Sequence, residues 1–275
     1  MDSKAFIPKI LPVVEPDGVK AKPHHSHLPK VGCGVAGGGA LLLMISPVKT
    51  GKSTIISNLL LSDLCYGQDF FDDVQIISNT IKNDVTSRFL NKAFNVYDYY
   101  DDTIIDGLIN RQKSFDKADQ PEMALVLDDC LGSIKRESRI NHLCSRYRHF
   151  NIKLLIISSQ KFKGSVSPII RANATDVIVG SPFPNQKELL AIAEEYGDLF
   201  GGADNWLKLY RKATPNKYDF CYMDLQSNPP IMYSNFEKVV GTGGYKNDIP
   251  EIEPQNIPEV KSTRFSKKSE EKENI

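Results

Sequence analysis

Short apolar runs alternate with longer amphipathic segments through the middle of the chain, between two polar ends. Continuous apolar runs indicate strands buried on both faces, and their alternation with helices is typical of βαβ units and a mostly parallel sheet. The predicted strands are Leu41 to Ile45, Val74 to Ser78, Met123 to Asp128, Leu154 to Ser158, Asp176 to Val179 and Tyr218 to Met223. The predicted helices are Ser53 to Leu61, Thr103 to Ser114, Ile134 to Arg148, Val166 to Ala172 and Gln186 to Tyr196. The pattern therefore predicts an α/β domain.

Both ends of the chain lack this periodicity. Residues 1–30 contain five prolines and the cluster His24-His25-Ser26-His27, which is typical of an extended or disordered arm. We expect these histidines to be solvated rather than to bind a metal. Residues 250–275 form a polar tail rich in lysine and glutamate. We therefore expect the folded domain to occupy residues 31–249.

A phosphate-binding loop, or P-loop, is predicted at residues 46–53, between the first strand and the first helix. The pattern is G-x-x-x-x-G-K-[ST], and Ser46 replaces its first glycine. Pro47 favours an extended Ser46 and removes one early donor, whereas the later N–H groups remain available. We expect a solvated Lys52 to reach the β/γ-phosphates and Ser53 to ligate Mg²⁺. The predicted ATP-binding residues are Ser46, Pro47, Val48, Lys49, Thr50, Gly51, Lys52, Ser53 and Thr54.

Two further strands end in polar side chains. Asp128 and Asp129 close one apolar strand, and Gln160 follows the next. Because ligands bind at the carboxyl ends of parallel strands, these side chains are expected beside the P-loop. Asp128 is then a candidate Mg²⁺ ligand, Asp129 a candidate group that polarises the attacking water, and Gln160 a candidate sensor of the γ-phosphate.

Composition limits the classes of protein that fit. The 275 residues include 34 Lys or Arg and 34 Asp or Glu, so the net charge is zero. The charge is nevertheless uneven, because residues 131–175 carry nine basic side chains and a single acid. Five cysteines without a C-x-x-C pair favour a reducing intracellular compartment. We expect neither a signal peptide nor a membrane span.

The order of several motifs resembles a known family. The pair Asp128-Asp129 is followed by Arg148-His149, Ser159-Gln160 and the segment Ile170-Arg171-Ala172-Asn173. This arrangement is similar to that of the genome-packaging ATPases of poxviruses, other large nucleocytoplasmic DNA viruses, virophages and Polinton-like elements, in the FtsK/HerA superfamily. The resemblance covers roughly residues 38–225. It implies a RecA-like P-loop NTPase fold, with a mostly parallel sheet sandwiched by helices.

The resemblance also implies a function and partners. It implies a ring of five or six subunits that uses ATP and Mg²⁺ to drive double-stranded DNA into a capsid, with capsid or portal proteins as partners. Such a motor would work in the host cytoplasm or a viral factory, or in association with the virion. Lys52, Asp128, Asp129 and Gln160 would be catalytic, and Arg171 would act as an arginine finger in the neighbouring subunit's site, with Arg146 and Arg148 as rivals.

Packaging accepts any DNA sequence, so contact with DNA must rest on charge rather than on base recognition. Lys161 and Lys163 follow the sensor strand directly and are the candidate DNA-binding residues. Two other functions remain open. One is a P-loop nucleotide or nucleoside kinase, which needs an arginine-bearing lid and an acceptor pocket. The other is a nucleotide-binding assembly protein without catalytic activity.

Overall fold

The computed structural model describes residues 27–34, 37–81, 88–134 and 137–244. Its nine strands are β1 Ala40–Ile45, β2 Asp73–Ser78, β3 Asn95–Tyr97, β4 Met123–Asp128, β5 Ile152–Ser159, β6 Asp176–Gly180, β7 Phe220–Asp224, β8 Ile231–Ser234 and β9 Lys238–Thr242. Its seven α-helices are α1 Lys52–Leu61, α2 Arg88–Ala93, α3 Asp102–Lys113, α4 Arg139–Cys144, α5 Pro168–Asn173, α6 Gln186–Tyr196 and α7 Ala203–Ala213. These counts refer to the described residues alone.

The strands form a single sheet in the order β3-β2-β4-β5-β1-β6-β7-β8-β9. From β3 to β6 every neighbouring pair is parallel, whereas β7, β8 and β9 continue the sheet as an antiparallel meander. The strand β1 lies between β5 and β6, away from both edges. The prediction of a mostly parallel α/β sheet is confirmed.

Helices cover both faces of the sheet. Leu41, Leu43 and Ile45 of β1 point to a core shared with α3, α4, α5, α6 and α7. The alternate side chains Leu42 and Met44 point to a second core, which contains the apolar residues of α1 and α2. Because successive side chains of a strand face opposite sides, a run of six buried residues is what a central strand between two helical layers requires.

The carboxyl ends of the parallel strands meet at one edge. In register, Ser78 of β2 pairs with Asp128 of β4, and Asp128 pairs with Ser158 of β5. Ile45, the last residue of β1, pairs with Ser159 and with Val179 of β6. The P-loop, the acidic pair and the sensor position therefore leave the sheet side by side, as expected from the strand order.

The long helix predicted from Ile134 to Arg148 is wrong in extent. Its buried stripe is present, but α4 spans only Arg139–Cys144, and a 3₁₀ turn at Tyr147–Phe150 replaces its C-terminal end. Tyr147 donates a hydrogen bond to the Gly39 carbonyl at 3.2 Å. Because this bond holds Tyr147 against the residue that precedes β1, α4 does not continue through Tyr147.

Two other predicted boundaries shift for local reasons. The helix predicted from Val166 begins at Pro168, because the Ser167 hydroxyl caps it by accepting from the Ile170 N–H at 3.3 Å. The strand predicted from Tyr218 begins at Phe220. Tyr218 has a φ of 72°, in the left-handed region, so it cannot continue a strand.

The end of the predicted N-terminal arm contacts the domain. The Pro29 carbonyl accepts a hydrogen bond from the Tyr66 hydroxyl at 2.5 Å, and Lys30 forms a 3.2 Å ion pair with Asp224. The His27 ring packs against the Tyr233 ring in a tilted arrangement, with 4.6 Å between the ring centroids. The rest of the arm and the tail from residue 250 lie outside the described residues. Within the described part of the chain, none of the helices is long and apolar enough to cross a membrane.

Asp176, at the start of β6, is a buried carboxylate remote from the P-loop edge. Burial raises its pKa to about 6, against hydrogen bonds from the Tyr222 hydroxyl, the Thr175 hydroxyl and the Gln226 amide, which lower it. The neighbouring charge of Asp224 adds to the increase. The folded state therefore binds this proton more tightly than the unfolded state does.

Asp176 is expected to make the fold less stable as pH rises. The contribution of Asp176 to the free energy of unfolding should fall by about 2–3 kcal/mol between pH ~4 and pH ~7. The reason is that the folded chain keeps this proton to a higher pH than the unfolded chain does. Urea unfolding of the wild type and of Asp176→Asn at several pH values measures it. The wild type should lose stability relative to Asp176→Asn across this window, and a pH-independent difference between them would contradict the prediction.

Candidate phosphate-binding site

The P-loop connects β1 to α1 through left-handed backbone at two positions. Lys49 has a φ of 61° and Gly51 a φ of 97°. Helix α1 begins at Lys52, and neither a side-chain cap nor an acidic residue lies at its first turn. Its first N–H groups and the positive end of its dipole therefore face the P-loop without competition, which is the arrangement that binds phosphate.

Lys52 is not the solvated side chain expected from the sequence. It is 8% exposed, and its ammonium donates to the Ser46 carbonyl at 3.0 Å and to the Pro47 carbonyl at 3.4 Å. Its Nζ also lies 3.5 Å from Oδ2 of Asp129. The lysine thus folds back across the mouth of its own loop, where it links the P-loop to the end of β4.

Asp128 is buried and held by two serines. The Ser158 hydroxyl donates to one carboxylate oxygen at 2.5 Å, and the Ser78 hydroxyl donates to the other at 3.3 Å. Burial raises the pKa of Asp128, and the charge of Asp129 acts in the same direction. A carboxylate whose ionised form is penalised by burial is one that a cation would stabilise, and this fits its predicted role as a Mg²⁺ ligand with Ser53. Ser53 is half-buried in the first turn of α1.

Asp129 contacts two of the other predicted catalytic side chains, Lys52 and Gln160. Besides Lys52, its Oδ2 accepts a hydrogen bond from the Gln160 amide at 3.1 Å. The backbone of Asp129 has a φ of 51°, and its N–H donates to the Ser158 hydroxyl at 3.2 Å. The structure therefore brings Lys52, Asp129 and Gln160 together, as the sequence predicted.

The segment after Gln160 is anchored to helix α6. One carboxylate oxygen of Glu188 accepts the N–H groups of Phe162 at 2.6 Å and of Lys163 at 3.1 Å. The Phe162 side chain is buried, whereas Lys161 is exposed. These two hydrogen bonds connect the segment after Gln160 to α6.

Arg171 lies on α5 and makes its contacts within the same chain. Its guanidinium lies 5.1 Å from the Phe162 ring centroid and donates to Glu195 at 2.6 Å. Its Nε is buried and has no hydrogen-bond partner among the described residues. The rival Arg148 donates to the Gly39 carbonyl at 3.3 Å and stacks on Tyr147, whereas Arg146 is exposed.

The positive charge of the segment that contains Lys161 and Lys163 is partly balanced by acidic side chains of α6. Lys163 lies 3.5 Å from Glu194, and both side chains are more than half exposed. Together with Glu188, this places two acids of α6 against the segment that contains the candidate DNA-binding lysines, whereas Glu195 pairs with Arg171 of α5. Lys161 is therefore the stronger of the two predicted contacts.

Several supporting residues were not identified from the sequence. These are the serines that bind Asp128, the Glu188 clamp, and Gly180, which ends β6 beside Ser46. The two serines could have been identified as small polar residues near the ends of β2 and β5, because these strands end beside β4 at the P-loop edge. No local pattern identifies Glu188 or Gly180, whose contacts join distant segments.

No model of a known protein family matches the chain. The uncharacterized protein 075L of Invertebrate iridescent virus 6 is 27% identical over 191 residues, which cover 68% of this chain and 71% of that protein.

Solved structures of viral packaging enzymes share the fold. B204, described as the DNA-packaging ATPase of Sulfolobus turreted icosahedral virus, superposes with a TM-score of 0.52 at 17% identity, over 71% of this chain and 97% of that one. The genome packaging NTPase B204 of Sulfolobus turreted icosahedral virus 2, in complex with ATPγS, gives a TM-score of 0.50 at 19% identity, over 72% and 98%. The chain thus has an α/β P-loop NTPase fold and in that fold resembles the viral genome-packaging ATPases.

Proposed function

We propose that this chain is an ATP-hydrolysing motor that translocates double-stranded DNA and packages a viral genome into a capsid. The observation that carries the proposal is the joint contact of Lys52 and Gln160 with the Asp129 carboxylate. A phosphate-binding lysine, a water-polarising acid and a sensor at one point are the parts that NTP hydrolysis requires. The resemblance to packaging ATPases supports the DNA-linked part.

The chemistry follows from the positions of these groups. In the proposed cycle the first N–H groups of α1 and Lys52 bind the phosphates of ATP, and Lys52 exchanges its carbonyl partners for phosphate oxygens. Ser53 and Asp128 would hold Mg²⁺, which would supply positive charge beside the phosphates. Lys52 leaves Asp129 as it turns to the phosphates, so the carboxylate becomes free to accept a proton from the attacking water.

Release of the γ-phosphate is expected to change the position of the DNA-binding lysines through Gln160. Gln160 loses a hydrogen-bond partner when the γ-phosphate departs, and the segment at Phe162 and Lys163 is tied to α6 through Glu188. A shift of Gln160 therefore displaces Lys161 and Lys163 as one unit with α6. We propose that these lysines face DNA in the pore of a ring of five or six subunits, in the host cytoplasm or a viral factory.

ATP hydrolysis measured with and without double-stranded DNA tests the function. A packaging motor is expected to hydrolyse ATP faster with DNA of any sequence. Phosphoryl transfer to a nucleoside without DNA stimulation would favour a kinase instead, and ATP binding without turnover would favour an assembly protein. Either of these results would contradict the proposed motor.

Replacement of both Lys161 and Lys163 by Ala is expected to weaken DNA binding about equally for all sequences. The slope of log affinity against log salt should become shallower by roughly 1–2 units, because each phosphate contact contributes close to one unit. Filter binding over a salt series measures it. The double variant Lys117→Ala with Lys238→Ala is the matched control, because it removes the same charge from exposed positions on α3's loop and β9.

The balance between the two lysines gives a second comparison. Because Lys163 is paired with Glu194, Glu194→Gln is expected to strengthen DNA binding, and Lys161→Ala should weaken it more than Lys163→Ala does. A salt slope that the double lysine variant leaves unaltered would place the DNA contact elsewhere.

A further inference from the structure

Ser46 occupies the position at which the phosphate-binding pattern has glycine, yet it is completely buried and engaged on every side. Its N–H donates to the Ser159 carbonyl at 2.9 Å, and its carbonyl accepts from Lys52 at 3.0 Å. Its hydroxyl is hydrogen-bonded to the Thr50 hydroxyl. The residue thus contacts the loop's lysine, the loop's own interior and the end of the sensor strand.

The direction of the hydroxyl bond can be assigned. The Thr50 hydroxyl donates its single proton to the Pro47 carbonyl at 2.6 Å. The bond between the two hydroxyls must then be donated by Ser46 and accepted by Thr50. A chain of hydrogen bonds consequently runs from Ser46 through Thr50 to Pro47 and closes the first half of the P-loop from inside.

Gly180 provides the space for this arrangement. A Cβ at residue 180 would overlap the Ser46 Oγ and would lie 2.9 Å from the Ser46 Cβ, but 3.5 Å from the Thr50 Oγ1, an ordinary contact. Gly180 is not among the glycines with positive φ, so backbone strain is not what requires it. Its carbonyl accepts a hydrogen bond from Tyr210 at 2.8 Å, which fixes the end of β6 against α7.

We propose that Ser46 is a positioning residue of the P-loop and that Gly180 is the residue that permits it. The hydroxyl chain holds the loop in the shape that presents the N–H groups of α1 and the Lys52 ammonium to phosphate. A loop that is already ordered gives up less entropy when a nucleotide binds. This inference rests on the proposed nucleotide binding, but the contact between Ser46 and Gly180 is a separate observation.

Five variants separate the contribution of the hydrogen bond from that of the space beside Gly180. Ser46→Ala removes the donor and should weaken binding of ADP about 2- to 10-fold, as expected for one neutral hydrogen bond. Gly180→Ala should weaken it at least as much, because the Ser46 hydroxyl must turn away from Thr50. In the double variant Ser46→Gly with Gly180→Ala the new methyl group has room, so its ADP affinity should match that of Ser46→Gly alone. Ser46→Ala with Gly180→Ala should remain impaired, because two Cβ atoms still meet at 2.9 Å.

Calorimetric titration with ADP and thermal unfolding of the free chain are measured on the same preparations. A positioning role predicts a higher Kd for ADP and a higher KM for ATP in Ser46→Ala, whatever the change in the unfolding midpoint. A purely structural role would lower the midpoint and leave the Kd in place, and this would overturn the proposal.

Failure of this inference and failure of the proposed function can be distinguished. If the wild type binds ADP but Gly180→Ala is equally harmful beside Ser46 and beside Gly at position 46, the positioning role is overturned and nucleotide binding stands. If the wild type binds ADP no better than Lys52→Ala does, both proposals fail together. If Gly180→Ala lowers ADP affinity when residue 46 is Ser but not when it is Gly, both proposals are supported.

Discussion

Subunits with Arg171→Ala are expected to bind ATP but to hydrolyse it about 10³–10⁵-fold more slowly than the wild type, the usual contribution of an arginine supplied in trans. Lys52→Ala subunits should also be inactive, because their own loop cannot bind the phosphates. Mixing the two should restore activity, since an intact loop can then lie beside a subunit that still carries Arg171. Steady-state ATP hydrolysis across mixing ratios measures this.

The ion pair between Arg171 and Glu195 makes the test sharper. To reach a neighbouring site the guanidinium must leave Glu195, and its Nε has no partner to lose in the described structure. Glu195→Gln is therefore the matched control, which should keep or raise turnover if Arg171 acts in trans. If Arg171 only fixes α5 to α6, Glu195→Gln should reduce activity as Arg171→Ala does. Absence of recovery in co-assembled mixtures would make Arg146 and Arg148 the next candidates.

Asp129→Asn is expected to lower turnover by about 10²–10⁴-fold while ATP still binds, because the amide keeps the shape of the carboxylate but cannot accept the water's proton. Asparagine also tolerates the left-handed backbone observed at this position, with its φ of 51°. Single-turnover hydrolysis beside equilibrium binding of ATPγS separates the two effects.

Asp128→Asn is the matched comparison for Asp129→Asn. Asp128 is buried between Ser78 and Ser158, so its amide variant should raise the Mg²⁺ concentration needed for half-maximal activity. The two carboxylates are adjacent in sequence but are expected to differ in which measurement changes. Full turnover in Asp129→Asn together with normal Mg²⁺ dependence in Asp128→Asn would show that the assigned roles are wrong.

The central strands could be predicted to within two residues because burial on both faces leaves a continuous apolar run. Met123–Asp128 is the clearest example, since its observed and predicted bounds coincide. Edge strands leave no such run: β3 has only three residues, Asn95–Tyr97, and none of them is fully buried. Helix α7 was missed although Trp206 and Tyr210 are four residues apart and both buried, a spacing typical of an amphipathic helix.

The positions of the candidate site were predictable because they follow from strand ends, whereas its contacts were not. The pattern placed Asp129 and Gln160 at one edge of the sheet, and their side chains indeed meet there. The pairing of Lys52 with Asp129 and the pairing of Arg171 with Glu195 join segments far apart in sequence. Such contacts are decided by tertiary packing, which local periodicity does not record.

The space shared by Ser46 and Gly180 restricts the order in which this protein can evolve. The phosphate-binding pattern has glycine at the position of Ser46. In this chain the glycine is required instead at position 180, at the end of β6 and outside the loop motif. Position 46 can return to glycine while Gly180 remains, and only afterwards is a side chain at position 180 accommodated. The reverse order passes through a chain in which two side chains compete for the same volume. Related sequences should therefore show the two positions changing together, with position 46 as the first to change.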